Sequence, residues 1–499
     1  MQNSSFEIKP FIYLVPVVFI LCFCLDTTQE TLKNPVYLFL FLSVMIIAGL
    51  QMGRLKDEET DVVYLIIAMG IFLKILYVLY TAIWTRQHDV IDFGVGEGHA
   101  GYIEYIYFNR SLPTGDPREK WAFFHPPLHH VISAVWMKIG NRLGLAYRQL
   151  QENIQALTLF YVSASSLVSY FICKELGLKK NGKIIAMLII SFHPVFVIMS
   201  GSINNDALSL FFMILSLYIL ILWYKEPKLT YITGLALCIG LSMFAKLSGV
   251  MVAPAAAVLF VLKLIKDRGN ILRYIFQYII FGLIVFPLGI GWEIKNMIRY
   301  GMPFNYIPPV GEQLVRTDLF SRLFDIRTTS IYPMLTINGD AFDEYNVWLS
   351  MFKTSIFDDV NMSLEWPVLN PSSFVMFTSG VVLAFVCFAA MIKVLVTVSG
   401  ADKEGGLLFE WKLMLFVFYL TMMVLYLNFA LGSSNYSAES FRYISAVIIV
   451  EALFVGIFAD ALAGSGEVLK VRKLKGIYVI TGTFCVSSFV TYLLLGFAR

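Results

Sequence analysis

The stretch Asp206–Tyr224 reads DALSLFFMILSLYILILWY, and its first residue is the only charged one. A helix of about 20 such residues crosses the ~30 Å hydrocarbon core of a bilayer. Similar runs recur along all 499 residues, of which 58% are hydrophobic and 15% are charged. Soluble domains carry about 25% charged residues, so the composition excludes a soluble enzyme, a disordered protein and a disulfide scaffold. Only α-helices and closed β-barrels satisfy their backbone hydrogen bonds within a bilayer. Barrel strands alternate polar with apolar residues and these runs do not, so we predict an all-α polytopic membrane protein.

The apolar runs predict about thirteen transmembrane helices. They lie at 10–25, 35–52, 62–84, 154–173, 183–201, 206–224, 229–247, 249–265, 273–292, 373–397, 409–431, 442–463 and 476–497. The run 127–140 would rise only about 21 Å as a helix and contains two histidines, so we predict that it lies along the membrane interface.

These spans divide the chain into five predicted parts. The parts are three N-terminal spans (1–84), a first outer loop with the interfacial helix (85–153), spans four to nine (154–292), a second long outer loop (293–372) and the last four spans (373–499). Ordered outer loops of this length are usually functional.

Positive charge predicts the orientation of the spans. Lysine and arginine concentrate in one set of connections, as in the four lysines of 174–183, whereas the short connections of the other set hold only Lys33. Basic residues favour the cytoplasmic side, so both long loops are predicted to lie outside. The net charge of +3 carries no information about nucleic acid, and no nucleic-acid partner is expected.

The topology can be tested by labelling. Single cysteines placed near Lys179 and near Asp340 should react with an impermeant reagent from opposite sides of the membrane, because one loop is predicted inside and the other outside. Labelling of both from the same side would overturn the predicted orientation and the outward-facing loops.

Five of the six histidines, and several carboxylates, lie in one 43-residue stretch of the first outer loop. One interpretation is a polar, solvated loop; the other, which we favour, is an active site facing outward. The histidines are His88, His99, His125, His129 and His130. The same stretch holds the carboxylates Asp89, Asp92, Glu97 and Glu104.

The sequence does not predict a metal site, and a bound divalent metal ion is kept only as an alternative. His125 and His129 are four residues apart, but Pro126 and Pro127 place His125 before the helix, and there is no HExxH pattern. The six cysteines form no CxxC pair and are interpreted as buried free thiols.

Further polar residues occur at the predicted outer ends of spans. Asp206 follows Asn204 and Asn205, Lys246 ends another span, and Arg442 opens the twelfth. Lys353 lies in an amphipathic part of the second loop. Each alone is typical of an interfacial charge whose stem is buried. Together they favour a lipid substrate with an anionic phosphate head.

The predicted first loop carries three motifs, GEGHAGYIEYI (96–106), SLPT (111–114) and FHPPLHH (124–130). They resemble the C-type (GT-C) membrane glycosyltransferases, and most closely the protein mannosyltransferase and aminoarabinose transferase group. Later segments, NNDAL (204–208), FAKLSG (244–249) and WEIKN (292–296), resemble family segments as well. The similarity covers most of the chain, and each motif alone is loose.

The resemblance implies the GT-C fold and an inverting transferase with a polyprenyl-phosphate sugar as donor. A carboxylate of the first outer loop would be the base, with Asp89 favoured, Glu97 second and Asp92 third. A lone Glu97 before Tyr102 departs from the adjacent acidic pair that is common in the family. His125 stands where aminoarabinose transferases have a lysine before Pro-Pro-Leu, and would contact the donor phosphate.

The remaining expected roles follow from that chemistry. Cations stabilise the departing phosphate, and a carboxylate takes the proton of the acceptor hydroxyl. The expected phosphate-binding residues are His125, Arg442, Lys246 and Lys353, and the expected substrate-binding residues are His99, Tyr102, His129 and Asp206. The expected partners are the lipid-linked donor, a lipid, glycan or protein acceptor and the membrane, with no cofactor.

Two other functions, a transporter and a structural scaffold, predict different sequence features. A transporter or flippase of a lipid-linked sugar would place charges at the bilayer midplane and show internal repeats, whereas here the charges gather at one surface. A structural scaffold would not explain the histidines. Three N-glycosylation sequons on the predicted outer face, at Asn109, Asn361 and Asn435, are compatible with an endoplasmic-reticulum protein. We nevertheless expect a multi-pass protein of a bacterial plasma membrane with its active site facing outside.

Overall fold

A computed structural model describes residues 59–83, 88–308, 318–328, 330–333, 346–358, 367–397, 407–433, 436–464 and 467–497. The predicted spans 10–25 and 35–52 lie outside the described residues. Within the described part every regular element is helical. The α-helices are α1 (Glu59–Tyr80), α2 (Gly98–Asn109), α3 (Leu128–Arg142), α4 (Tyr147–Glu152), α5 (Ile154–Glu175), α6 (Lys180–Phe192), α7 (Pro194–Gly201), α8 (Asp206–Lys225), α9 (Leu229–Ala245), α10 (Ala253–Lys266), α11 (Ile271–Tyr300), α12 (Leu319–Phe324), α13 (Val347–Phe357), α14 (Asn370–Val396), α15 (Phe409–Gly432), α16 (Val447–Ala463) and α17 (Val468–Phe497).

The polytopic all-α class is confirmed. Eight helices of the described part are long and apolar enough to cross a membrane, and α6 with α7 makes a ninth if the bent pair is one span. Helices α9 and α16, with 17 residues each, are shorter than the 20 or so residues of a typical span. The count of thirteen therefore stays a prediction.

One predicted span, 183–201, is broken in the structure. Helix α6 ends at Phe192, α7 begins at Pro194, and the two axes differ by 44°. Proline has no N–H to donate and its ring disfavours the helical conformation of the preceding residue. His193 accordingly adopts an extended conformation with φ −64° and ψ 127°.

Several other boundaries differ from the predicted ones, among them the start of α17 at Val468, eight residues before the predicted 476. The predicted span 249–265 begins with a 3₁₀ turn, Leu247–Val252, before α10. The span predicted from 442 starts at Val447, and Arg442 lies in the preceding 3₁₀ turn Phe441–Ile444. Helix α11 continues eight residues past the predicted end at 292, to Tyr300. Apolar patterning alone does not mark where a helix enters the polar layer.

The chain forms two compact units. The first contains Thr81–Ile172 and Met199–Pro309, and the second contains Cys173–Ile198 and Val310–Arg499 together with α1. The first unit holds most of the residues singled out in the sequence, and Lys353 and Arg442 belong to the second.

Within the first unit, the segment after residue 88 folds onto the start of α2. The amides of His99 and Ala100 donate to the carbonyls of Asp89 and Val90, both at 2.9 Å. These bonds satisfy amides that a helix N-terminus leaves without intrahelical partners. Gly98 has φ +72°, and a Cβ there would lie 2.1 Å from the Val90 oxygen. Glycine therefore permits the close approach that places Asp89 beside α2.

Helix α3 has one buried and one exposed face. His129, His130 and Met137 are fully buried, whereas Val135 and Ile139 are 52% and 43% exposed. This is the half-exposed helix predicted for 127–140. Its position along a membrane interface stays a prediction.

Candidate active site

Three histidines of the first outer loop form a stacked cluster. Nδ1 of His99 on α2 and Nε2 of His130 on α3 are 2.9 Å apart, so one nitrogen donates to the other. The His99 ring also stacks on His125, with centroids 5.2 Å apart. The prolines after His125 start α3 and so place His125 and His130 on either side of His99. We call His99, His125 and His130 the histidine cluster.

Tyr102 extends this stack. Its ring lies 4.1 Å from that of His130 and 4.6 Å from that of Phe123, measured between centroids, and is nearly parallel to both. The side chain is fully buried, and burial raises the pKa of its hydroxyl. Tyr102 therefore stays a neutral phenol, and it supports the cluster from the side of α2.

Burial keeps His99, His129 and His130 uncharged at neutral pH. It lowers the pKa of His99 and of His130 well below the usual value, and neighbouring histidines lower both further. It also lowers the pKa of His129 to about 4, although a bond to the Ile203 carbonyl opposes the shift. Desolvation disfavours the charged form of an imidazole. These side chains therefore offer neutral hydrogen bonds rather than positive charge.

His129 ties α3 to the segment before α8. Its Nε2–H donates to the Ile203 carbonyl at 2.7 Å, and the ring is fully buried. The bond fixes the tautomer with the proton on Nε2. The structure thus gives His129 a positioning contact, and its predicted contact with substrate stays a prediction.

An ion pair lies beside these histidines. The Lys246 ammonium donates to an Asp206 carboxylate oxygen, with the two side chains 14% and 8% exposed. The Asn205 amide donates to the Ala245 carbonyl at 2.9 Å and so joins the start of α8 to the end of α9. The charge of Asp206 acts on His129, and that of Lys246 on His99. The structure therefore places Lys246 within electrostatic reach of His99, and Asp206 within reach of His129. The predicted contacts of Lys246 with a phosphate and of Asp206 with substrate stay predictions.

The three candidate carboxylates differ in their surroundings. Asp89 is half-buried with φ +57°, and its negative charge acts on His99. Asp92 and Glu97 are exposed, and Glu97 occupies the N-cap position of α2 without a side-chain bond there. Among the three, the electrostatic interaction with the histidine cluster that the structure describes belongs to Asp89. The ranking of Asp89 before Glu97 stays a prediction, now with this interaction in its favour.

Sequence reasoning missed the role of Glu104. One of its oxygens accepts the Gly94 amide at 2.9 Å and the other accepts the Tyr147 hydroxyl. The first bond holds the glycine-rich turn between Asp92 and α2, and the second joins α2 to α4. A carboxylate within GEGHAGYIEYI gives no sign, by type or spacing, that it binds a turn ten residues earlier.

The two predicted cations of the second unit lie in mostly buried positions. Lys353 on α13 is fully buried, and its ammonium donates to the Thr328 hydroxyl at 2.7 Å. Arg442 is 8% exposed, and its guanidinium lies 4.9 Å from the Tyr443 ring centroid. The Thr354 hydroxyl accepts the Phe441 amide at 2.9 Å and so joins α13 to the turn that carries Arg442. Their predicted contact with a phosphate stays a prediction.

A buried ion pair that the sequence did not reveal holds the preceding 3₁₀ turn, Tyr436–Glu439. Arg322 and Glu439 are 2.8 Å apart, with side chains 6% and 3% exposed. The Arg322 guanidinium also donates to the carbonyls of Ala430, Leu431 and Ser433 at the end of α15. Because the last carbonyls of a helix lack intrahelical donors, Arg322 caps α15 as well as pairing with Glu439.

No group of three or more His, Cys, Asp or Glu side chains in the described part of the chain is arranged to hold a metal ion.

One family model matches residues 124–292, that of dolichyl-phosphate-mannose-protein mannosyltransferases. No curated protein matches the chain. The matched segment includes His125, His129, Asp206 and Lys246. It thus covers one half of the site described above, and the segment carrying Asp89 precedes it.

Solved structures resemble the chain at low sequence identity. The oligosaccharyltransferase of Archaeoglobus fulgidus in its apo form is 12% identical, with a TM-score of 0.51 over 88% of this chain and 56% of that one. The same enzyme tethered to an acceptor peptide is 13% identical, with a TM-score of 0.51 over 88% and 55%. ArnT from Cupriavidus metallidurans in the apo state is 14% identical, with a TM-score of 0.46 over 88% and 77%.

The chain spans a little over half of the oligosaccharyltransferase that it matches, with 56% covered in the apo form. At these identities the likeness concerns the fold. The chain has the fold of the C-type membrane glycosyltransferases, and its residues 124–292 are similar to the protein mannosyltransferases among them.

Proposed function

We propose that this protein is an inverting glycosyltransferase that moves a sugar from a polyprenyl-phosphate donor to a hydroxyl acceptor at the outer face of the membrane. The observation that carries the proposal is that the segment of Asp89 is bonded to the start of α2, where the His99 amide donates to the Asp89 carbonyl at 2.9 Å. The charges of Asp89 and Lys246 both act on the buried His99 side chain. The match to the mannosyltransferase family model across the other half of this site supports the same reaction class.

The proposed reaction needs one base and one cation site. The acceptor oxygen forms a bond to C1 of the sugar from the face opposite the phosphate, and the bond between C1 and the phosphate oxygen breaks. The Asp89 carboxylate takes the hydroxyl proton. The phosphodiester leaves as a phosphate monoester, which gains one negative charge, and fixed cations stabilise that charge. A pair of catalytic acids is not needed, because the phosphate is already a good leaving group.

The site's electrostatics fit this division of roles. Neutral imidazoles of His99 and His130 can donate hydrogen bonds without repelling Lys246. A mostly buried ammonium such as that of Lys246 needs a partner, and Asp206 supplies it in the absence of substrate. A donor phosphate at this place would share the ammonium with Asp206. The acceptor in this proposal is a hydroxyl of a lipid, glycan or protein, no metal is required, and the expected location is a bacterial plasma membrane.

One observation favours the rival function, a transporter or flippase of a lipid-linked sugar. Lys74 lies fully buried within α1, and charges inside spans often mark transport pathways. Its ammonium donates to the Ser191 carbonyl at 2.9 Å and to the Gly70 carbonyl at 3.4 Å. Both acceptors are backbone groups near the break before Pro194, so the lysine has a structural role that does not require transport.

The donor-phosphate sites can be tested one at a time. His125→Ala and Arg442→Ala should each raise the Kd of a polyprenyl-phosphate sugar roughly 10- to 150-fold, since a hydrogen bond to a charged group contributes about 1.5–3 kcal/mol. The measurement is binding of a fluorescent donor to the full chain in nanodiscs, with thermal unfolding as the check on folding.

Arg142→Ala is the matched control, because Arg142 is exposed at the end of α3. It should leave donor affinity unchanged. Unchanged donor affinity in both His125→Ala and Arg442→Ala would show that these side chains do not contact the phosphate.

A further inference from the structure

The chain between α7 and α8 is irregular and buried. Helix α7 ends at Gly201 and α8 begins at Asp206, and every residue from 200 to 206 is buried. We call residues 200–206 the α7–α8 segment. The last carbonyls of a helix lack intrahelical donors, and a buried polar group without a hydrogen bond is costly. Donors from other elements are therefore needed along this segment.

Two side chains of α5 supply such donors. The Gln155 amide donates to the Gly201 carbonyl at 2.9 Å, and the Thr158 hydroxyl donates to the Ser200 carbonyl at 2.9 Å. Both side chains lie in the first two turns of α5 and are fully buried. The start of α5 thus holds the backbone that leads to Asp206.

Gln155 also bonds the chain where it leaves α1. Its Nε2 donates to the Thr81 carbonyl at 2.7 Å. The amide group of a glutamine has two N–H donors, and here one is used for Thr81 and the other for Gly201. One buried amide therefore joins the segment that leads to Asp89 and the segment that leads to Asp206.

Apolar packing connects this joint to Asp89. Ile83 and Val90 belong to the same buried hydrophobic cluster as Ile203 of the α7–α8 segment. Val90 follows Asp89 directly in the chain. A shift between the two segments would therefore reach Asp89, because close-packed interiors transmit strain.

Hydrogen bonds connect the α7–α8 segment to the Asp206–Lys246 ion pair. The Asn204 side-chain oxygen accepts the Asp206 amide at 3.1 Å. The Asn205 amide donates to the carbonyl of Ala245, the residue before Lys246. Asn204 and Asn205 are 2% and 0% exposed. The position of the segment therefore determines where the ion pair lies.

We propose that Gln155 is a positioning residue, which holds the segment of Asp89 and the segment of Asp206 in the relative position that sugar transfer needs. It is fully buried, so it acts through these segments and not by touching the substrate. A misplacement of about 1 Å by a remote substitution can lower a rate about a hundredfold. The inference rests on the proposed function in taking Asp89 as the base and Lys246 as a phosphate-binding residue, whereas the joining of the segments does not depend on it.

Gln155→Met tests the proposal, because it removes both bonds and keeps a side chain of similar size. In single-turnover assays with saturating polyprenyl-phosphate sugar, the transfer rate should fall about 10- to 100-fold. Hydrogen exchange of the full chain in nanodiscs, without donor, should become at least about fivefold faster in peptides that cover residues 200–206 and the residues around Thr81. One hydrogen bond corresponds to a factor of roughly 2–12 in an equilibrium constant.

Gln277→Met is the matched control. Gln277 is also buried, and it donates to the Pro227 carbonyl at 3.0 Å and accepts the Trp223 indole N–H at 2.7 Å. It lies 15 residues before Trp292 on α11, which is about 22 Å along the helix. Its substitution should leave the transfer rate and the exchange of both segments unchanged, even where the unfolding transition shifts.

Thr158→Val is a milder variant that decides the matter should Gln155→Met not fold. It removes the donor to Ser200 and should speed exchange in residues 200–206 but not around Thr81. Exchange at the wild-type rate in Gln155→Met or in Thr158→Val, or a rate loss in Gln277→Met equal to that in Gln155→Met, would overturn the proposal. A wild-type protein that transfers no sugar would instead refute the proposed function, and the exchange data would still show whether Gln155 joins the two segments.

Discussion

Asp89→Asn should lower the rate of sugar transfer at least a hundredfold and leave the Kd of the donor unchanged. Loss of a general base typically costs a factor of about 10²–10⁴, and the amide of asparagine has nearly the shape of the carboxylate but cannot take a proton. Glu97→Gln should have the smaller effect, because Glu97 is exposed whereas Asp89 lies within electrostatic reach of His99. Single-turnover transfer and equilibrium donor binding, measured on the same preparation, separate the two effects.

Asp92→Asn serves as the matched control for that pair. Asp92 is an exposed carboxylate of the same segment, and its loss should change the rate less than the loss of either other carboxylate. If Glu97→Gln abolished transfer while Asp89→Asn retained most of it, the roles of the two would be reversed. Should all three variants keep the full rate, the first outer loop would not be the catalytic one.

Arg322→Ala should lower the free energy of unfolding by about 3–5 kcal/mol, the usual cost of removing one partner of a buried ion pair. The change would leave the Glu439 carboxylate buried without its partner cation and would remove the donor to the carbonyls of Ala430 and Leu431. The measurement is the shift of the unfolding transition in detergent. Because Glu439 ends the 3₁₀ turn that precedes the turn of Arg442, loss of the pair should also raise the Kd of the donor.

The second loop offers its own control for this prediction. Arg327 and Asp325 form an ion pair in which the arginine side chain is 73% exposed, and water screens such pairs strongly. Arg327→Ala should therefore barely move the unfolding transition. The double variant Arg322→Met with Glu439→Leu should be more stable than Arg322→Ala, because no charge is left buried. Equal shifts of the unfolding transition for Arg322→Ala and Arg327→Ala would contradict the stabilising role of the Arg322–Glu439 ion pair.

The sequence predicted the helices well wherever lipid or the core demands a long apolar segment. The ends of α5 and α8 agree with the predicted spans within two residues, because polar residues bracket those runs. The break at Pro194 was not predicted, although proline is visible in the sequence. A proline within an apolar run either kinks a helix or interrupts it, and the outcome depends on packing that one chain segment does not reveal.

The candidate site was predicted residue by residue but not as a set of contacts. Asp206 and Lys246 were each singled out for their positions at span ends, yet their pairing joins residues 40 positions apart. His99 and His130 stack across 31 positions. Helical periodicity reports neighbours three or four residues apart, so it could relate His125 to His129 but could not join either histidine to α2.

Burial was the other property that the sequence did not predict. Lys353 was expected at an interface because it lies in an amphipathic stretch of the second loop. In the structure it is fully buried, and its ammonium donates to the Thr328 hydroxyl. The sequence does not distinguish a long charged side chain whose end reaches water from one whose end reaches a polar group inside the protein. Arg322 gave no signal at all, since its partner Glu439 lies 117 residues away.

Proteoliposomes that contain a polyprenyl-phosphate donor with a labelled sugar test the central claim most directly. With acceptor present, the fate of the label is followed in the wild-type protein and in Asp89→Asn. We expect the wild-type protein to release polyprenyl phosphate and pass the label to the acceptor with inverted anomeric configuration, and Asp89→Asn to leave the label on the lipid. Label that crosses the bilayer still attached to the lipid, at equal rates in both proteins, would contradict the account and identify a flippase.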